Sequence, residues 1–341
     1  MSTLVTGAGG HLGATLVRTL LAQGRSVKAL DLDPGIALAG LDVEVLRGDI
    51  RDADFLRSAF QPGDTLFHLA SVISTSGDKG GLVQSVNVDG ARNIAKVARE
   101  VGLKRLIHTS SIHAYDIDTH GAPITEQTRL AIGHSSSAYN VSKAQGQLAV
   151  FEEGAKGLDV VVVNPCGVIG PYDYKASRMG KFFRAIARGN SGPVGPSGFN
   201  WVDVRDVVQG LLLAETKGRP GEAYILAGHW NSNLALGNIA AGIVGKPIPA
   251  KPIPMWTLRA LHALGPVLTM IGKRPPVTRE ALDALLANPN MSHAKATTEL
   301  GYNPRPVEDT IRAIYNWLAD EDILAKESAA HKARKAAKAA K

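Results

Sequence analysis

Three glycines follow the first strand-like segment of the chain, at the point where a helical pattern begins. The segment LVTGAGGHLGATLV puts Gly7, Gly10 and Gly13 directly after Thr3–Thr6. A tight turn requires Gly7, a diphosphate can approach the backbone only where Gly10 lacks a Cβ, and Gly13 lets helix and strand pack closely. The N-terminus of the helix then faces the phosphate charge. We therefore predict a dinucleotide-binding loop here.

Short strand patterns alternate with helix-length patterns up to residue 164, which is typical of βαβ units. Six strands are predicted, at Thr3–Thr6, Ser26–Asp31, Asp42–Leu46, Thr65–Leu69, Arg105–Thr109 and Val160–Asn164. Helices are predicted between most of them, including His11–Gln23, Leu82–Glu100 and Ser137–Gly154. The run VVVV at 160–163 is continuous instead of alternating, as expected for a strand covered on both faces. The chain is expected to form an α/β fold with a Rossmann-type, doubly wound parallel sheet.

In the second half, Gly- and Pro-rich turns separate shorter elements. The helix predicted at Asp206–Glu215 and the strand predicted at Ala223–Leu226 return to the main sheet, whereas Met179–Arg188 and the region from Asn233 to about Asn303 form a second lobe. The expected division is a nucleotide-binding domain at 1–170 with return segments at about 197–227, a smaller, discontinuous substrate lobe at about 171–196 and 228–325, and a disordered basic Ala/Lys tail at 326–341. The cleft between the lobe and the carboxyl ends of the strands is the expected ligand site.

The net charge of +7 is concentrated at the end of the chain. The last fourteen residues, SAAHKARKAAKAAK, carry five lysines or arginines and no acid, so we expect no nucleic-acid partner for the nearly neutral remainder. A lone Cys166 excludes an intramolecular disulfide, is expected to be a buried thiol, and fits a reducing compartment. Strand-like residues begin at Thr3, so no signal peptide is expected. The ten histidines form no HExxH pattern, and no metal site is predicted.

Asp31 ends the second predicted strand, eighteen residues after Gly13, where a carboxylate can hydrogen-bond the hydroxyls of an adenosine ribose. The same carboxylate repels a 2′-phosphate, so the predicted cofactor is NAD and not NADP. A turn role before Pro34 is the alternative for Asp31, although Asp33 is better placed for that role. Further cofactor contacts are predicted in the glycine loop and at the ends of neighbouring strands, at His11, Leu12, Asp49, Ile50, Leu69, Ala70 and Ser71.

Two serines after the fifth strand and the segment YNVSK form a second motif. The four-residue spacing of Tyr139 and Lys143 puts both on one face of a helix, where the ammonium can lower the phenol pKa from its usual value of about 10. A hydride leaving or reaching a carbinol carbon needs a partner that takes or gives the hydroxyl proton, and such a tyrosine does this. The hydroxyl of Ser111 can orient the same oxygen and stabilise its developing charge. We therefore predict Ser111, Tyr139 and Lys143 as catalytic residues.

These motifs resemble those of the extended short-chain dehydrogenases/reductases, which form the NAD-dependent epimerase/dehydratase superfamily. TGAGGHLG resembles the family's TGxxGxxG loop, NVDGARN its NVxGTxN helix, HTSS its serine strand and YNVSK its catalytic helix. NPCGVIGPYD resembles the RPxxVYGPxD turn, and NWVDVRDVV resembles the FVHVxDVA segment. The resemblance implies that Tyr139 is the acid/base, that Lys143 contacts the nicotinamide ribose and that Ser111 orients the substrate. It also implies cofactor contacts at Asn87, Pro165 and Val168.

Two departures from the family pattern indicate the branch. Sugar-nucleotide epimerases and dehydratases commonly carry an arginine two residues before the FVHV-like segment, where this chain has Phe199, and Asn164 replaces the arginine of RPxxVYGP. The sequence is therefore most similar to the dihydroflavonol reductase and 3β-hydroxysteroid dehydrogenase branch, or to the hopanoid-associated proteins similar to it. Members of that branch act on apolar alcohols and ketones. Asp203, which replaces a usual histidine, and His113 are not explained by this comparison.

The resulting hypothesis is a cytoplasmic, NAD-dependent oxidoreductase that interconverts a secondary alcohol and a ketone on an apolar ring-type substrate. Two alternatives stay open, a sugar epimerase or dehydratase that uses the same oxidised intermediate, and an NAD-responsive binding or regulatory protein. The regulatory protein is disfavoured because it has no need of an acid–base tyrosine. A homodimer is expected, since pairing through the helices after strands four and five is common in this fold class. Substrate contacts are predicted at Ser111, His113, Tyr115, Tyr172, Phe199 and Trp256.

The segment PIPMWTLRALHALGPVLTMIG carries apolar residues at a spacing that puts much of its apolar surface on one side. Three uses stay open for this helix, namely packing within its own lobe, covering an apolar substrate, or lying on a membrane surface beside the basic tail. Charged and helix-breaking residues interrupt the segment, so no transmembrane helix is expected. These residues are Arg259, His262, Gly265 and Pro266.

Overall fold

A seven-stranded parallel sheet forms the centre of the molecule. The computed structural model describes residues 2–74, 77–78, 80–117, 121–133, 137–249, 252–270, 272 and 290–329. The strands in these ranges are β1 (Thr3–Thr6), β2 (Val27–Asp31), β3 (Glu44–Arg47), β4 (Thr65–His68), β5 (Arg105–Thr109), β6 (Val160–Pro165), β7 (Gly167–Ile169), β8 (Gly198–Asp203), β9 (Ala223–Leu226) and β10 (His229–Ser232). The main sheet has the order β3-β2-β1-β4-β5-β6-β9, and its neighbouring strands are parallel. The predicted Rossmann-type sheet is confirmed.

Helices cover both faces of this sheet. They are α1 (His11–Ala22), α2 (Ala53–Ala59), α3 (Leu82–Gln84), α4 (Ala91–Val101), α5 (Ala138–Gly154), α6 (Arg178–Ala187), α7 (Val204–Lys217), α8 (Asn233–Val244), α9 (Met255–Ala263), α10 (Gly265–Met270) and α11 (Val307–Asp320). A π-helical turn, Ser85–Gly90, joins α3 to α4, so the helix predicted at Leu82–Glu100 is continuous but locally widened. One apolar core packs α1 and α7 against one face of the sheet, and a second packs α2, α4 and α5 against the other.

A second, three-stranded sheet was not predicted from the sequence. Its order is β10-β8-β7, with β7 and β8 parallel and β8 and β10 antiparallel. Of the predicted return segments, β9 pairs with β6 in the main sheet, whereas β8 pairs with β7 and β10 in the smaller sheet. Each of these strands has only three to six residues, and such short runs carry little periodicity.

The lobe has its own apolar core, formed by α6, α8 and α11. One part of the predicted lobe lies elsewhere, because Ala296, Leu300 and Tyr302 pack into the core that contains α1 and α7. In the predicted disordered tail, residues 326–329 are helical, and residues 330–341 lie outside the described part of the chain. Among the described helices, none is long and apolar enough to cross a membrane.

Candidate active site

The glycines of the loop between β1 and α1 differ in how closely other protein atoms approach them. A Cβ on Gly7, whose φ is +67°, would lie 2.7 Å from the amide nitrogen of Ala70, and a Cβ on Gly13 would lie 2.2 Å from the carbonyl oxygen of Gly7. A Cβ on Gly10 would meet only that same carbonyl oxygen, at 3.1 Å. Protein packing therefore explains Gly7 and Gly13, whereas Gly10 leaves a backbone surface that a ligand can approach.

The N-terminus of α1 fits an anionic group. Gly10 is the N-cap residue, no side chain caps the helix, and the first turn carries no acidic residue. The first N–H groups of a helix have no partner within the helix, and its dipole favours negative charge there. His11 in this turn contacts the carbonyl oxygen of Pro171 through Nε2 at 2.9 Å, and Leu12 packs against the core. These features fit the diphosphate of a dinucleotide.

Asp31 ends β2 beside the glycine loop. Its Oδ2 accepts a hydrogen bond from the Gly9 amide at 2.8 Å, and its Oδ1 accepts one from the Asp33 amide at 3.0 Å. Asp33 accepts from the Gly35 amide at 3.0 Å and thus holds the turn, as expected. The carboxylate of Asp31 is therefore fixed at the end of the strand, where a ribose would follow the diphosphate.

The segment after β3 lies next to Asp31. The amide of Gly48 donates to the carbonyl oxygen of Asp31 at 3.3 Å. The Asp49 carboxylate pairs with Arg51, and this hydrogen bond holds the pKa of Asp49 below its usual value. Ile50 is buried in the core, and its Cδ1 occupies the space where a Cβ on Gly90 would lie. Contacts from this segment to an adenine ring stay a prediction.

The loop after β4 is fixed by two side chains. The Thr6 hydroxyl lies 2.7 Å from Nδ1 of His68 and accepts hydrogen bonds from the Leu69 and Ala70 amides. Further along the loop, Asn87 accepts from the Val72 amide at 2.8 Å and donates to the Val72 carbonyl. Sequence reasoning missed Thr6, although it stands at the start of the glycine motif.

The side-chain amide of Asn87 contacts protein groups, and the predicted contact of Asn87 with the cofactor stays a prediction. Besides the two bonds to Val72, its Nδ2 donates to the Ser142 hydroxyl at 3.0 Å. The side chain therefore connects the π-helical turn, the loop that contains the exposed Ser71, and α5. The helix pattern predicted the position of Asn87 but not these partners, because they come from distant parts of the chain.

Ser111, Tyr139 and Lys143 meet at the carboxyl end of β5. Ser111 follows β5 and accepts a hydrogen bond from the His113 amide at 3.2 Å, and its side chain also hydrogen-bonds that of Tyr139. Ser137 caps α5, which places Tyr139 in the first turn of that helix and Lys143 one turn later. Lys143 is buried, and its Nζ donates to the Thr109 carbonyl at 3.0 Å.

The predicted lowering of the phenol pKa is wrong for the protein as described. Burial raises the pKa of Tyr139, and the hydrogen bond with Ser111 offsets only part of this effect. Burial also lowers the pKa of Lys143 to about 8. Helical spacing correctly placed the two residues on one face but could not reveal that desolvation is the larger effect on both groups.

The stacked rings of His113 and Phe199, which we call the aromatic wall, lie beside Tyr139. The ring of His113 stacks on that of Phe199 from β8, with 6.0 Å between centroids and 12° between planes, and meets the ring of Tyr139 edge-on at 5.8 Å. Burial lowers the pKa of His113 to about 4, so the ring is neutral at pH 7. Phe199 also packs against an apolar cluster that includes Ile112 and Ile225. The substrate candidates His113 and Phe199 are thus brought together with Tyr139.

The other three substrate candidates have different surroundings. Tyr115 is 1% exposed and packs in an apolar cluster with isoleucines, so it is a core residue. Tyr172 lies against Arg18 of α1 and Trp317 of α11. Trp256 on α9 is 71% exposed. Aromatic residues in a sequence indicate burial or binding without indicating which, and substrate contact at Tyr172 and Trp256 stays a prediction.

Two residues that depart from the family motifs, Asn164 and Asp203, make structural contacts. The Nδ2 of Asn164 donates to the Ser111 carbonyl at 2.9 Å and to Gln147 of α5 at 2.8 Å, so it ties the serine strand to the catalytic helix. Asp203 caps α7 by accepting from the Arg205 amide at 2.7 Å. Pro165 ends β6, and Val168 in β7 pairs with Val202 in β8.

Comparison with known proteins agrees with this geometry. The model of the NAD dependent epimerase/dehydratase family matches residues 3–227. A curated relative named sterol demethylase protein B, from Methylococcus capsulatus, is 40% identical over 231 residues, which are 67% of this chain and 70% of the relative. A putative dihydroflavonol 4-reductase from Synechocystis is 32% identical over 94% of this chain and 95% of its own. The crystal structure of gox2253 superposes with a TM-score of 0.82 at 30% identity, covering 94% of this chain and 98% of that one.

Proposed function

This chain belongs to the NAD-dependent epimerase/dehydratase family, and from that premise we propose that it interconverts a secondary alcohol and a ketone on an apolar, ring-type substrate. It is an NAD-dependent enzyme of the extended short-chain dehydrogenase/reductase type. The observation that carries the proposed substrate class is the stack of His113 on Phe199 beside Tyr139. Two neutral rings offer a planar apolar surface where sugar-nucleotide enzymes of the family commonly carry a diphosphate-binding arginine.

Each group at the site has a proposed task in the reaction. NAD would lie along the glycine loop, with Asp31 on its ribose, and would supply hydride acceptance or donation. Tyr139 takes the hydroxyl proton when the alcohol is oxidised and returns a proton when the ketone is reduced. Ser111 holds the reacting oxygen through its hydroxyl, and Asn164 keeps the Ser111 backbone in place.

Lys143 completes the arrangement through its charge. Its pKa of about 8 leaves the ammonium mostly protonated at pH 7, so a positive charge stands one helical turn from the phenol. A positive charge favours the phenolate, which is the form of Tyr139 that can accept the hydroxyl proton. The name of the Methylococcus relative supports sterol-like rings as the first substrate class to test.

The test is a substrate screen with the purified protein and NAD or NADH, read by nicotinamide absorbance and by analysis of the products. Hydroxysteroids and related polycyclic alcohols are compared with flavonoid-like ketones and with nucleotide sugars. We expect turnover of an apolar ring alcohol or ketone and none of the sugars. Conversion of a nucleotide sugar without net NADH formation would contradict the proposal and favour an epimerase.

A further inference from the structure

Two short helices of the lobe present large apolar side chains to solvent. On α9 and at its C-terminal end, Trp256 is 71% exposed and Leu264 is 52% exposed, and Met270 at the end of α10 is 87% exposed. Trp256 and Leu264 lie about two helical turns apart, whereas Leu258 on the other side is only 7% exposed and anchors α9. We call Trp256, Leu264 and Met270 the α9–α10 surface. The predicted single amphipathic helix is thus broken after Leu264, and part of its apolar side, including Trp256 and Leu264, is exposed while Leu258 is buried.

The sequence that contains α9 and α10 is basic. Residues 223–279 contain no Asp or Glu but six Lys or Arg residues, among them Arg259 on α9. The amide of Ile253, just before α9, donates to the carbonyl of Val194 at 2.9 Å, and the loop that contains Val194 also lacks acids from 189 to 202. The apolar side chains therefore belong to a stretch of sequence with a net positive charge, in which Lys246 and Arg259 are the cations of the described residues.

We propose that the α9–α10 surface binds the face of a bilayer that contains anionic lipid. Tryptophan and other apolar side chains insert at the level of the headgroups, while nearby basic residues contact lipid phosphates. Both helices are too short to span a bilayer, which limits the contact to the interface. A second copy of the chain is a poorer occupant, because a symmetric pairing would bring two basic faces together.

The experiment uses the full chain and vesicles of phosphatidylcholine alone or mixed with phosphatidylglycerol. We expect co-sedimentation with the mixed vesicles only, and quenching of Trp256 emission by lipids with brominated acyl chains. The Trp256 signal is the difference between the native protein and Trp256→Phe. The double variant Trp256→Ser/Met270→Ser should bind at least tenfold more weakly, whereas Trp230→Ser, which replaces another exposed tryptophan at 49% exposure, should bind like the native protein.

The basic tail is tested separately by deleting residues 330–341. Deletion should weaken co-sedimentation with the mixed vesicles but leave the quenching of Trp256 emission unchanged. The reason is that the tail contributes positive charge but no side chain that inserts into the bilayer. Equal binding by the native protein and the double variant, or loss of all binding on deletion of the tail, would overturn the proposal. Concentration-dependent dimers that the double variant loses, or a raised KM for an apolar substrate with unchanged vesicle binding, would also overturn it. Vesicle binding does not require turnover, so the outcome is independent of the proposed reaction.

Discussion

Ser111, Tyr139 and Lys143 are held by backbone and side-chain contacts that their own motif does not contain. Asn164 fixes the carbonyl of Ser111, Thr109 accepts from the Lys143 ammonium, and Ser137 sets the start of the helix. Burial then acts on both titrating groups in opposite directions, raising the pKa of Tyr139 and lowering that of Lys143. Both shifts favour the neutral forms, as expected for desolvation.

Replacement of Tyr139 by Phe should separate chemistry from binding. We expect NAD affinity to stay unchanged and turnover to fall by on the order of 10²-fold or more, because only the proton transfer is lost. Lys143→Ala should reduce both quantities. Calorimetry with NAD and steady-state rates with the best substrate measure the two effects, with Tyr172→Phe as the control outside the wall. Unchanged turnover in Tyr139→Phe would refute the assigned role and favour a regulatory protein.

Asp31 should determine the choice between NAD and NADP. The native protein should bind NAD at least about tenfold more tightly than NADP, a difference of roughly 1.4 kcal/mol, because the carboxylate repels a 2′-phosphate. Asp31→Ala should reduce the ratio of the affinity for NAD to the affinity for NADP. Asp33→Ala is the matched control, since it removes a neighbouring turn carboxylate that is bonded to Gly35. Equal calorimetric affinities of the native protein for the two cofactors would rule out the assignment.

At the scale of elements, two helices pass close to neighbouring backbone at glycines, because a Cβ there would clash. The sequence motif does not show which glycines have this packing role. Gly13 allows α1 to pass against the turn at Gly7, and Gly146 allows α5 to pass the π-helical turn, where a Cβ would lie 2.2 Å from the Asn87 carbonyl oxygen. Gly10 has no comparable packing constraint. The loop thus combines structural glycines with one that fits ligand approach.

Alanine substitutions should separate these two kinds of glycine. Gly13→Ala should destabilise the fold by about 1–3 kcal/mol, because its Cβ would meet backbone atoms that cannot move independently. Gly10→Ala should keep the melting temperature near that of the native protein and weaken NAD binding. Thermal denaturation and calorimetry measure both quantities, and Gly192→Ala, at an open position, is the control. A Gly13→Ala protein as stable as the native one would contradict the packing argument.

At the scale of the whole molecule, the two sheets meet at the candidate site and bury several histidines. His113 follows β5 of the main sheet and stacks on Phe199 of the smaller sheet. His68 and His108 face each other across β4 and β5, with 5.1 Å between ring centroids, and both ring nitrogens of His108 are buried without a hydrogen-bond partner among the described residues. Burial lowers the pKa of His68 to about 3 and that of His108 well below its ordinary value, and Lys143 adds to both shifts.

These histidines should make the fold sensitive to acid. Each binds a proton in the unfolded chain near pH 6.5 but stays neutral in the folded protein until the pH approaches its lowered pKa. The unfolded state therefore binds more protons, and each histidine removes about 1.4 kcal/mol of stability per pH unit as the pH falls from about 6.5 toward 4. Denaturant unfolding across this range should be steeply pH-dependent, and less so in His108→Phe. An identical slope in the two proteins would exclude His108 as a contributor.

The sequence by itself determined the order and type of most elements of the main sheet and the position of the glycine loop. It also predicted that Ser111, Tyr139 and Lys143 lie together. These features depend on hydrogen bonds and side-chain spacing within a few residues, so their patterns are local. Tertiary structure alone decided that Asn164 supports Ser111, that Tyr115 is core and that Trp256 is exposed. It also decided that His113 meets Phe199 and that desolvation sets the pKa of Tyr139. Burial and long-range contacts depend on which distant segments pack together, and no pattern within a single segment contains that information.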